Sequence, residues 1–332
     1  MASLKQKFEK ISTLLEPVKW IYKAVLFVVI VASIAVAAYQ LIVEYDVAGS
    51  LMTTTFLVAT LIAIVYRVVN PYGWTLTLEG LGFRTGIVES TRVWLLAESR
   101  RWLPGGVWGY ASRAVQAEQL GVTKTAASAS MLVELLLTML AAVIVALLGL
   151  IFEFKALSNG LISVLEDNGA FENRLLFAGA LAVSLAAASL AYMFRKTFMR
   201  KLKTLNERFK LLRSIEFNSS RLGLALFYFV IMACLNGCVN MALLSAVSDT
   251  AAVPWIAMVA ATATAWIIGF LAFFSPGGIL VREAALTALL LPWMPYEAGI
   301  TLAVLSRLAQ LIAEVVCMLL VIQSPKKQTA HG

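Results

Sequence analysis

Along the chain, apolar residues gather in long, almost charge-free runs instead of alternating with polar ones. Such runs occupy residues 24–43, 51–69, 126–150, 175–193, 222–247, 252–274 and 300–322. A helix rises ~1.5 Å per residue, so ~20 apolar residues match the ~30 Å hydrocarbon core of a bilayer. The pattern predicts an all-α polytopic membrane protein with about seven long transmembrane helices and short connections. The whole chain, 1–332, reads as a single integral membrane domain.

Basic residues sort the runs by side, because short loops rich in Lys and Arg stay in the cytoplasm. Lys5, Lys7, Lys10, Lys19 and Lys23 precede the first run, and Glu44 and Asp46 follow it. Its length argues against a cleaved signal peptide. Arg67, near the end of the second run, is able to snorkel towards the headgroups. The connection before residue 175 holds Glu153, Glu166, Asp167 and Glu172 with Lys155 and Arg174 and reads as exterior. Residues 195–221 carry nine basic residues against Glu207 and Glu216, the strongest cytoplasmic signal in the chain. Lys326 and Lys327 bring the C-terminus inside as well. These charges predict a multi-pass protein of the plasma (inner) membrane with both termini cytoplasmic.

An odd number of crossings cannot begin and end on one side. Segment 279–291 is the candidate for the missing crossing, yet at ~1.5 Å per residue it is too short to span alone. Pro276-Gly277-Gly278 stands immediately before it, and the same triplet occurs as Pro104-Gly105-Gly106. Proline removes a backbone donor and glycine lowers helix propensity, so each triplet predicts an interrupted helix. Amphipathic stretches 86–97 and 107–120 flank the first, too short and polar to span. They predict a re-entrant hairpin dipping into the membrane from the cytoplasm.

The two breaks share their surroundings. Arg113 follows the first and Arg282-Glu283 the second; Glu134 lies 30 residues after Pro104, and Arg307 lies 31 after Pro276. This predicts an internal repeat, with halves at about 51–194 and 222–322 joined by the basic loop 195–221. In secondary transporters, paired interrupted helices mark a site near the bilayer midplane. An inverted repeat, its hairpins entering from opposite sides, also resolves the parity.

Composition supports this picture. Hydrophobic residues make up 61% and charged residues 14%, against about 45–50% and about 25% in soluble domains. The net charge of +8 fits chain orientation better than nucleic-acid binding. The absence of a G-x-x-x-x-G-K-[ST] phosphate loop argues against ATP-driven pumping. Cys234, Cys238 and Cys317 lie in apolar runs without histidine or carboxylate company, and the single histidine, His331, is a tail residue. No catalytic residue, metal ligand or cofactor is expected, and the chain does not read as an enzyme.

The stretch Leu103-Pro104-Gly105-Gly106-Val107-Trp108-Gly109-Tyr110-Ala111-Ser112-Arg113, followed by Glu134, is similar to N-x-x-x-P-G-R-x-G-E-x-x-R followed by E-R-x-x-D. Pro276-Gly277-Gly278-Ile279-Leu280-Val281-Arg282-Glu283-Ala284, followed by Arg307, is similar to P-G-G-x-G-x-R-E-A. By these motifs the chain resembles the lysylphosphatidylglycerol synthase transmembrane family, which includes flippase-like and glycosyltransferase-associated membrane domains. Tyr110 stands where that family has Glu, and Leu135 and Thr138 replace an Arg and an Asp. The resemblance implies flipping of an anionic phospholipid or polyprenyl-phosphate-linked sugar between leaflets.

Arginine presents a planar fork suited to phosphate and stays charged in apolar surroundings. Arg113, Arg282 and Arg307 are therefore the candidate phosphate ligands. Glu134, Glu283 and Glu314 would balance them or carry a proton. Backbone N–H groups after Pro104, Gly105 and Gly106 and after Pro276, Gly277 and Gly278 would face the same anion. Asn236 and Asn240 could extend a polar stripe for sugar hydroxyls or act as interhelical glue. Arg92, Arg100 and Arg101 with Trp94 and Trp102 read as an interfacial anchor. Two alternatives stand beside this reading. One is a polyprenyl-phosphate-dependent glycosyltransferase, with Glu44 and Asp46 holding a divalent cation. The other is a scaffold that recruits a glycosyltransferase through the basic loop.

Overall fold

The computed structural model describes residues 53–98, 108–156, 218–248, 252–272, 278 and 280–323. Every regular element among them is helical. The runs at 24–43 and 175–193 lie outside the described residues, as do Glu44, Asp46, Arg100, Arg101, Trp102 and His331. Most of the basic loop and the break residues Pro104, Gly105, Gly106, Pro276 and Gly277 lie outside them too.

Helix α1, Thr54–Val69, starts where the Thr53 hydroxyl accepts from the Phe56 N–H at 3.3 Å, satisfying one of the orphan donors of the first turn. In the sequence the apolar run ends at Asn70-Pro71, but the helical path continues. Asn70 and Pro71 hold helical dihedrals and lead into α2, Tyr72–Gly80. Proline fits this position because the N–H it lacks is not needed at a first turn. Its carbonyl accepts from the Trp74 N–H at 3.0 Å. Together the two helices form one 27-residue apolar stretch, Thr54–Gly80. The second half is the better buried: Trp74, Leu76 and Leu78 are fully enclosed.

The two short helices of the expected hairpin are α3, Ile87–Glu98, and α4, Trp108–Gln116, which pack on each other. A 3-10 turn, Ala117–Leu120, closes α4 and ends at Gly121, whose φ of 73° suits glycine. The long helix α5, Lys124–Phe152, is capped by Thr123, and α6, Ser219–Val247, by Asn218. Helix α7, Trp255–Leu271, precedes the second break; α8, Val281–Leu290, follows it; and α9, Tyr296–Gln323, completes the described chain. Helix α6 is the centre of the arrangement and touches α1, α2, α5, α7 and α9.

Among the described residues, four stretches are long and apolar enough to cross a membrane: Thr54–Gly80, Lys124–Phe152, Ser219–Val247 and Tyr296–Val321. Helix α8 has 10 residues and at ~1.5 Å each cannot. Leu57, Leu61 and Val65 on α1 and Leu136, Leu140 and Leu147 on α5 form exposed apolar stripes, the faces such helices turn to acyl chains. Most hydroxyls inside the bundle return to their own helix, whereas the buried Thr75 Oγ1 finds no partner. Thr77 donates to the Gly73 carbonyl at 2.8 Å and Thr138 to the Glu134 carbonyl at 2.8 Å, so neither is left unsatisfied in apolar surroundings.

Glycine lets two pairs of elements approach closely. At the α6–α7 crossing a Cβ on Gly237 would lie 2.6 Å from Val259 Cγ2 and 2.8 Å from Val259 Cα. Gly237→Leu is therefore expected to cost at least the ~1–3 kcal/mol of an overpacked core. A lower melting temperature and a smaller monodisperse peak in detergent would register it. Around the second break, a Cβ on Gly278 would lie 2.6 Å from the Gly269 carbonyl oxygen. Gly278 and Leu280 both have φ of 69°, and α7 and α8 on either side of the break pack on each other.

Candidate functional site

The ionisable residues inside the bundle fall into two clusters. The first joins the hairpin to the long helices. Arg113 of α4 grips Glu134 of α5 with both terminal nitrogens, Nη1 donating to Oε1 at 3.2 Å and Nη2 to Oε2. The Trp94 indole N–H of α3 donates to the same carboxylate at 3.0 Å. Arg113 lies over the Trp74 ring at 5.0 Å and the Trp94 ring at 5.9 Å. Both members of the pair are buried, at 7% and 8% exposure. Desolvation of that order is tolerated only when each charge has a partner and further hydrogen bonds, and this pair has both.

Arg67 completes the cluster. It does not snorkel: its Nη2 is 2.7 Å from Glu314 Oε2 of α9, its Nη1 is 3.9 Å from Glu98, and its guanidinium sits 5.8 Å from the Trp94 ring. A partner within reach inside the bundle outweighs the stretch to the headgroups. Trp94 likewise is no interfacial anchor, because it is buried and spends its indole donor on Glu134.

The second cluster lies beside the second break. Arg282 and Glu283 sit in the first turn of α8, facing α9, where Arg307 Nε is 3.8 Å from Glu283 Oε1. Arg282 Nη1 donates to Gln310 Oε1 at 3.2 Å, and the Gln310 amide reaches Asn236 Oδ1 and Ser306 Oγ, each at 3.4 Å. Arg282, Glu283, Leu286, Ala303, Ser306, Arg307 and Gln310 line a small cleft. Glu283 Oε2 is buried without a hydrogen-bond partner.

All three predicted carboxylates are thus engaged by arginines: Glu134 by Arg113, Glu283 by Arg307, and Glu314 by Arg67. Asn236 faces the second cluster. Asn240 does not: its amide donates to Thr262 of α7 at 2.7 Å, the glue reading. Asn240→Ala is expected to cost about 0.5–1 kcal/mol, the worth of one interhelical hydrogen bond, read as a small fall in melting temperature. Sequence reasoning did not single out Trp74 or Gln310. Gln310 had a legible signal, since Arg307, Gln310 and Glu314 fall on one face of α9 at helical spacing. Among the described residues no group of three or more His, Cys, Asp and Glu could hold a metal ion.

The family model described as lysylphosphatidylglycerol synthase TM region matches residues 20–317, nearly the whole chain and both clusters. The chain belongs to that family. No curated protein matches it. Membership makes it a multi-pass membrane protein tied to lipid metabolism or transport. In this family member two motif departures have visible consequences. Thr138, where the motif has Asp, bonds its own helix, and Tyr110, where the motif has Glu, is 47% exposed. The carboxylate that meets Arg113 comes from α5.

Proposed function

We propose that this member of the lysylphosphatidylglycerol synthase TM region family moves an anionic lipid, a phospholipid or a polyprenyl-phosphate-linked sugar, between leaflets. The observation that carries the proposal is the second cluster. Two arginines line one cleft at the start of α8, and ionisable groups within a membrane-spanning bundle mark substrate routes. Arg282 and Arg307 serve as phosphate ligands, and the N–H groups at the start of α8 face the same anion. Glu283 holds Arg307 until phosphate takes its place. Arg113 belongs to the supporting framework, because Glu134 already occupies both of its terminal nitrogens.

The inverted repeat finds support in a shared local plan. After each break a short helix pairs with the next long one, Arg113 with Glu134 and Glu283 with Arg307, the sense of the charges reversed. The charge of the basic loop supports an orientation with both termini cytoplasmic, in the inner membrane. The test is purified protein in vesicles of neutral lipid carrying a trace of tail-labelled anionic phospholipid. With transport, an impermeant quencher reaches nearly all of the label. Quenching of only the outer leaflet, as in protein-free vesicles, would refute it.

A further inference from the structure

Arg282 is constrained at both ends of its side chain. At the base, α7 passes so close that a Cβ on Gly269 would lie 2.9 Å from the Arg282 Cβ. At the tip, Nη1 donates to Gln310 Oε1 of α9 at 3.2 Å. Gln310 is fixed in turn from behind. Its Nε2 donates to Asn236 Oδ1 of α6 and to Ser306 Oγ, one turn earlier on α9, each at 3.4 Å. Asn236 and Ser306 are both buried.

These partners set the Gln310 amide one way round. A flipped amide would put its NH2 against a guanidinium, which can only donate, and its oxygen against Asn236 Oδ1, which can only accept. The contact also differs in kind from the one in the first cluster. There a carboxylate takes both terminal nitrogens of Arg113; at Gln310 a neutral oxygen meets one nitrogen of Arg282. A bidentate carboxylate is the stronger partner and competes with phosphate for the same fork. An amide orients the guanidinium and yields more easily.

Resting on the reading of this cleft as a phosphate site, we infer that Gln310 is its positioning residue. It acts through Arg282 and not on the phosphate itself, aiming the guanidinium into the cleft. Asn236 ties that aim to α6, so the three side chains form a relay from Asn236 through Gln310 to Arg282.

A double-mutant cycle on ligand affinity tests this. The purified protein in neutral detergent is titrated with dioctanoyl phosphatidylglycerol and with a short-chain prenyl phosphohexose, the rise in melting temperature giving each Kd. The tighter ligand is carried through the cycle, and Arg307 keeps binding measurable when Arg282 is replaced. Gln310→Met, close in volume, should weaken binding about tenfold where Arg282 is present and less than about twofold beside Arg282→Met, a coupling expected of residues in contact. Gln310→Glu should weaken it more than Gln310→Met, because the carboxylate takes the fork. Asn236→Leu should weaken it about threefold, its 3.4 Å contact being long, and that loss too should vanish beside Arg282→Met. An equal loss from Gln310→Met in both backgrounds marks a merely structural role and overturns the inference. So does wild-type affinity in a folded Gln310→Glu protein. If Gln310→Met does not fold, the Asn236→Leu cycle decides in the same way. Unchanged affinity in Arg282→Met itself, or no binding of either ligand, removes the phosphate site and the inference with it.

Discussion

Arg113→Ala is expected to cost about 3–5 kcal/mol, the loss seen when one partner of a buried ion pair is removed. The reason lies in what remains. Glu134 is 8% exposed, and without Arg113 its carboxylate keeps only the Trp94 indole N–H as a donor from another helix. The flat faces of Trp74 and Trp94 lose the cation they flank, and the hairpin loses its tie to α5. A melting temperature in detergent that falls by well over ten degrees would register this. The companion variant carries Arg113→Leu together with Glu134→Met. Replacing both charges by apolar groups of similar size removes the stranded carboxylate, so much of the stability should return. If the double variant is no more stable than Arg113→Ala, the tie is steric and the electrostatic account fails.

The second large effect falls on transport. Arg307→Ala should lower the rate of lipid movement by about 30- to 150-fold, which corresponds to the ~2–3 kcal/mol of a charge-assisted hydrogen bond to phosphate. Arg307→Lys should fall between, because lysine keeps the charge and loses the planar fork. Stability responds less here than at Arg113. The pair with Glu283 is longer, at 3.8 Å, and Arg307 keeps 17% of its side chain exposed. The decisive comparison is a folded Arg307→Ala protein assayed in vesicles beside the wild type. Undiminished movement would remove Arg307 from the phosphate site.

Several of these features were readable from residues alone. Helices α5, α6 and α9 follow the apolar runs to within a few residues, because in a bilayer an unbroken apolar run can satisfy its backbone only as a helix. The matching distances from the two Pro-Gly-Gly triplets set Arg113 and Glu134 beside Glu283 and Arg307 as corresponding groups, but left open which charge meets which. Other features were hidden for physical reasons. Asn70-Pro71 has the composition of a helix end, and only the dihedrals show the chain running on into α2. The bond from Trp94 to Glu134 and the ion pair of Arg67 with Glu314 join elements far apart in sequence. Partner choice at that range depends on how α1, α3, α5 and α9 stack, which no local spacing encodes. Arg67 therefore looked like a headgroup contact, though it lies inside the bundle.

Helix α9 carries Arg307 and Glu314 two turns apart on a single stiff rod, one toward the cleft and the other toward Arg67. A shift of the rod that parts Arg307 from Glu283 also loads the Arg67 contact, so the two clusters share one free-energy balance. By whatever factor phosphate binds the parted state of Arg67 and Glu314 better than the closed one, phosphate binding must shift that pair towards the parted state by the same factor.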